Sequence, residues 1–147
     1  MTHRRIVVPG VDTARLLAVI EQIDDVIREV SIVQIGMQGG LEQAGLPDEV
    51  LRTFGSVREI VYRPKEDISR QAAAAWSAGR AHLDVEVSME EDSAPVVRRV
   101  LDALERIDSL SATDRALLIP AAAEEVATYR RWFLTALADG LEDAAQQ

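Results

Sequence analysis

Residues 30–40 read Val-Ser-Ile-Val-Gln-Ile-Gly-Met-Gln-Gly-Gly. The β-branched run Val30 to Ile35 predicts a buried strand, broken by Gly36, Gly39 and Gly40. Upstream, Leu16, Val19, Ile20, Ile23, Val26 and Ile27 recur at helical spacing, behind a possible cap at Asp12 or Thr13. Before that, Arg4 to Val8 predicts a short strand ended by Pro9-Gly10. The first forty residues thus spell strand, helix, strand.

Downstream the alternation continues. Pro47 opens a short helix carrying Val50, Leu51 and Phe54, with Gly55 as its C-terminal cap. Arg58 to Arg63 predicts a third strand. Asp67 caps a helix through Ala72 to Trp76, which Gly79 closes, and His82 to Ser88 alternates as a fourth strand. Beyond Met89 the pattern turns helical. Val96, Val97, Val100, Leu101, Leu104 and Ile107 face inward on one helix; Val126, Tyr129, Phe133, Leu137 and Leu141 form a stripe on the last. The expected fold is α/β: a small, mostly parallel four-stranded sheet with flanking helices and a helical C-terminal extension. A ferredoxin-like α+β sheet is the alternative. Residues 1–147 form one domain, an α/β part over 1–90 and a helical part over 91–147. No internal repeat or low-complexity linker stands out.

Composition narrows the function. The chain has 147 residues, 48% of them hydrophobic, enough for a core without a metal or disulfide staple. Its formal net charge is −9, the wrong sign for a phosphate backbone or an anionic membrane surface. It has no cysteine, which removes disulfides and thiolate chemistry. No apolar run approaches the ~20 residues of a membrane span. The expected location is cytoplasmic, with no membrane and no nucleic-acid partner. Lys65 is the single lysine among many arginines, and alanine is abundant, as in proteins from GC-rich bacterial genomes.

Three clusters carry candidate chemistry. Gly36, Gly39 and Gly40 follow a predicted strand, where backbone amides can approach an anion, although the G-x-G-x-x-G and G-K-[ST] patterns are absent. Arg63, Lys65, Glu66, Asp67 and Arg70 surround the next strand's carboxyl end and could hold an anionic ligand. Gly36, Gly39, Gly40, Arg63 and Asp67 are therefore the candidate ligand site. His82, Asp84 and Glu86 would share one strand face, a chemically sensible metal set, but equally the wet face of a half-exposed strand. No metal or other cofactor is expected.

The most distinctive string is Tyr129-Arg130-Arg131-Trp132-Phe133. Trp132 lies beside the inward stripe, and an aromatic flanked by arginines is the composition favoured at protein interfaces. Tyr129, Arg130, Arg131 and Trp132 are the candidate interaction residues. The segment Leu117-Leu118-Ile119-Pro120, then Glu125-Val126, then Tyr129 to Leu134 resembles a terminal helical segment of actinobacterial regulatory proteins related to ATP-binding anti-sigma factors. The resemblance implies a regulatory role. It carries over no catalytic residue, because the chain contains no asparagine and lacks the asparagine-bearing helix and glycine-rich lid of a GHKL-type ATP site. The expected function is a non-catalytic regulatory or protein-interaction module of a bacterial cytosol. It would act through its C-terminal helices on a protein partner or a second copy. The alternative is a small-molecule-binding α/β enzyme with its site at the strand carboxyl ends.

Overall fold

The computed structural model describes residues 2–38, 48–113 and 121–146. Their order is β1 (His3–Asp12), α1 (Thr13–Gln38), α2 (Asp48–Ser77), β2 (His82–Glu90), α3 (Ala94–Thr113) and α4 (Glu124–Ala145). The two strands pair antiparallel as one sheet. The expected four-stranded parallel sheet is absent among the described residues, and so is its ferredoxin-like alternative.

Both missing strands are helix. Val30 is buried at the end of the stripe Leu16, Val19, Val26, Val30, while Ile32 is 54% exposed. A strand buried on both faces would hide Ile32 as well. Ser31 Oγ donates to the Ile27 carbonyl at 2.8 Å, a contact between successive helical turns. Likewise Arg58 to Arg63 lies inside α2, where Ile60 and Tyr62 are exposed. The α2 stripe Val50, Phe54, Val61, Pro64, Ile68, Ala72, Ala75 keeps its helical spacing past Gly55 and Pro64. Pro64 leaves the Ile60 carbonyl without its intrahelical donor, yet tertiary burial carries the helix through. Asp67 is accordingly mid-helix rather than a cap.

Other local expectations hold. Asp12 Oδ1 accepts the Arg15 N–H at 2.9 Å and caps α1. Gly79 ends α2 at φ +71°, with Gly79 N–H bonded to the Trp76 carbonyl and Arg80 N–H to that of Ala75. This is the paired bonding of a Schellman cap. The inward residues expected on α3 are buried, as are Phe133, Leu137 and Leu141 on α4.

The element order is β-α-α twice, and the packing repeats with it. α1 packs on α2 as α3 packs on α4; β1 lies against α4 as β2 lies against α2; α1 touches α4 as α3 touches α2. Ile6 faces Val87 across the sheet. Matching those two residues also matches the starts of the following helices, Thr13 and Ala94. Leu16 then corresponds to Val97, Val19 to Val100 and Val26 to Ile107, all buried. On α2 and α4 the stripes Val61, Pro64, Ile68, Ala72, Ala75 and Arg130, Phe133, Leu137, Leu141, Ala144 have identical spacing. The molecule is two βαα halves about an approximate dyad. One sheet face, with Ile6, Val8, Val85 and Val87, covers the helices; the other is exposed.

Candidate functional site

The expected strand-end site does not assemble. Gly36 lies in α1, and Gly39 and Gly40 fall outside the described residues. Arg63 is exposed on α2. Asp67 pairs with Arg70 one turn away and lies near Arg5 and Glu86 of the sheet. Without a parallel sheet there are no adjacent strand carboxyl ends to gather these groups.

His82, Asp84 and Glu86 do share the exposed face of β2. Two of the three are engaged there: Asp84 Oδ1 accepts the Gly10 N–H at 3.0 Å, and Glu86 pairs with Arg5. Gly10 sits at φ +65° in the β1 bulge, so Asp84 pins the irregularity between Val8 and Val11. No group of three potential metal ligands converges among the described residues.

The string on α4 divides. Arg130 is wholly buried. Its guanidinium donates to Asp108 of α3 and, at 2.7 Å, to Gln22 Oε1 of α1, while Nε is unpartnered. Asp108 Oδ1 also accepts the Ala122 N–H at 3.0 Å ahead of α4. Arg130 is therefore a cross-brace of the bundle rather than a surface residue. Arg131 faces outward and pairs with Glu105 at 2.7 Å, which raises its pKa. Tyr129 is half-buried, and its Oη accepts the Asp12 N–H at 2.8 Å. Trp132 rests against Tyr129 with ring centroids 5.2 Å apart and still keeps 44% of its surface exposed. Arg15 stands 5.7 Å over the Tyr129 ring. The surface cluster is thus Arg15, Tyr129 and Trp132, while Arg131 is turned toward Glu105 of α3. Arg15 was not foreseen, since it is remote in sequence and nothing local marks it.

A second feature escaped the sequence. An apolar cavity lies among the four helices. Its inner part, about 70 Å³, is walled by residues that include Leu16, Val19, Ile68, Val97, Phe133 and Leu137. An outer part of about 130 Å³ lies between α1 and α2 and reaches Asp24, Ser31 and Tyr62. Ile23, Val61, Lys65 and Val100 line both. Lys65 Nζ sits 2.6 Å from Asp24 Oδ1 and 3.4 Å from Glu66 Oε1. Partial burial pulls the ammonium pKa down, but the hydrogen bonds and charges of Asp24 and Glu66 outweigh it and leave the value raised. Charge at Lys65 was visible in the sequence; its place on a cavity wall required the helix that was mistaken for a strand.

No known protein family, curated protein or solved structure matches the chain. No described helix is long and apolar enough to cross a membrane.

Proposed function

We propose that the protein is a non-catalytic regulatory or protein-interaction module of a bacterial cytosol, acting through α4. The observation that carries this reading is Trp132. A tryptophan left 44% exposed beside a half-buried tyrosine, with Arg15 over the tyrosine ring, has the make-up of an interface anchor. Tyr129 is held by its bond to Asp12, so the platform under Trp132 is fixed before any partner arrives. The simplest partner is a second copy, with both Trp132 faces buried in an isologous contact.

Light scattering across the micromolar range tests this reading. The wild-type chain is expected to exceed its monomer mass, and Trp132→Ala to return it to monomer without changing the thermal midpoint. A wild-type monomer at high micromolar concentration rejects self-association through this face.

A further inference from the structure

The cavity among the helices follows the dyad only in part: Ile20, Ile23, Val61 and Met89 have no counterpart in its lining, and its outer part belongs almost wholly to the first half. Around its inner part Leu16 answers Val97, Val19 answers Val100, Pro64 answers Phe133 and Ile68 answers Leu137. One pair differs in charge: Lys65 of α2 stands where α4 has Leu134. Leu134 fills the equivalent place on α4 with an apolar side chain. Lys65 is also the only lysine in a chain otherwise supplied with arginine. The guanidinium is a broad planar fork, whereas the ammonium is a compact charge on a flexible stem. That shape can sit at the rim of a narrow apolar space.

We propose that this cavity binds a small amphiphile with an apolar body and a carboxylate head, the body lying between the helices and the head on the Lys65 ammonium. The inner wall offers the body no charged partner but Lys65. Neither part alone, at about 70 and about 130 Å³, reaches the ~150 Å³ at which a purely apolar protein cavity accepts benzene; only the two together exceed it. A short hydrocarbon or a single aromatic ring is the matching body. The head group follows from the rim. Asp24 and Glu66 occupy two of the ammonium's three N–H donors, and a third serves a ligand carboxylate. The Lys65 side chain is 16% exposed and that of Asp24 is 47% exposed, so the carboxylate of Asp24 can give way toward water. With Asp24 turned toward water, an ammonium head would meet Lys65 as a like charge, and a hydroxyl head would forgo the charge-assisted bond. The site uses neither Trp132 nor the face of α4 that carries it.

Octanoate, 1-octanol and octylammonium are the probes, titrated into the full chain at neutral pH and followed by amide chemical shifts. Octanoate is expected to bind about tenfold more tightly than octanol, and octylammonium most weakly. Shifts should concentrate at Ile23, Val61, Val100 and Leu134. Lys65→Gln should equalise octanoate and octanol, and Val100→Phe should weaken both by filling the shared wall. Should Lys65→Gln fail to fold, Asp24→Asn tests the same contact by removing the competing carboxylate, and should tighten octanoate alone. Octanoate binding no tighter than octanol, a preference that survives Lys65→Gln, or shifts lying away from the cavity would each overturn the proposal.

Discussion

The first half, β1-α1-α2, and the second, β2-α3-α4, share a frame and differ in their polar fittings. Where α2 has Val61 against its neighbours, α4 has the buried Arg130, reaching Asp108 and Gln22. At Gln71, α2 closes the outer edge of β2: the side-chain amide accepts the Glu86 N–H at 2.8 Å and donates to the Glu86 carbonyl at 2.6 Å. The matching residue of α4 is Gly140, which has no side chain to offer β1 and instead lets the helix approach Ile6. Lys65 faces Leu134 in the same way. Apolar periodicity, repeated at the same spacing, sets the frame. Single polar or missing side chains give each half its own device.

The largest expected contrast lies at Val61 and Arg130. Arg130→Ala leaves Asp108 without its partner inside the bundle, and breaking a buried pair costs ~3–5 kcal/mol. The Asp108 side chain is 18% exposed, so water reaches it and the loss should fall near ~3 kcal/mol. Val61→Ala, half-buried, should cost only ~1 kcal/mol. Urea midpoints at constant m-value measure both. Equal losses would mean that Arg130 contributes packing rather than a charge brace.

The second contrast is at the sheet edges. A Cβ on Gly140 would lie 2.7 Å from Ile6 Cγ2, which is branch carbon rather than a flexible tip. Overpacking of this kind costs ~1–3 kcal/mol, and the better helix propensity of alanine offsets up to ~1 kcal/mol. Gly140→Ala should therefore destabilise by ~1–2 kcal/mol despite improving the helix. Gln71→Ala removes two hydrogen bonds to the partly solvated strand edge and a third to the Asp67 carbonyl, and should cost ~1 kcal/mol. It should also speed exchange of the Glu86 amide selectively, which hydrogen-exchange NMR can read. A stabilised Gly140→Ala would show that α4 can retreat from β1, and the close approach would lose its meaning.

These contrasts also show what could be foreseen. The frame was legible wherever spacing was decisive: the α3 stripe, the α4 stripe from Phe133 onward, the cap at Asp12 and the stop at Gly79 are as expected, while Val126 and Tyr129 are only half-buried. It failed at Val30 to Ile35 and Arg58 to Arg63. Short β-branched runs do not distinguish a strand from a buried helix turn, and Gly55 and Pro64 are breakers that tertiary burial overrode. Once those two segments became strands, the repeat of β-α-α was hidden, because the first half then held three strands and the second only one. The candidate site suffered in turn. Arg130 shares the helical spacing of Phe133 and Leu137, but its charge reads like that of Arg131; the facing Asp108 and Gln22 satisfy it inside. Trp132 beside the stripe was readable from helical geometry, since it depends on α4 alone.

The smallest expected effect separates Lys65 from Leu134. Partial burial works against the ammonium, but Asp24 and Glu66 raise its folded-state pKa above the ordinary 10.5. A group whose pKa rises on folding contributes stability that is fully present below its unfolded value. That contribution is lost as pH climbs through the higher folded value. The window therefore opens near pH 10.5 and extends upward. Asp24 and Glu66 are about half exposed, so the contribution is screened and should amount to a few tenths of a kcal/mol, roughly the worth of a partly solvated ion pair. The slope of the wild type sums every group that changes its proton binding on unfolding, so it alone decides nothing. Lys65→Leu supplies the reference, because it gives the first half the side chain the second already has. The urea midpoint of the wild type should fall more steeply than that of Lys65→Leu as pH rises from ~10 to ~12, and the two should run parallel below. Parallel curves throughout would mean that the ammonium contributes nothing to the fold. The charge at the cavity rim would then have to be explained by what it binds, and the octanoate titration would decide the matter alone.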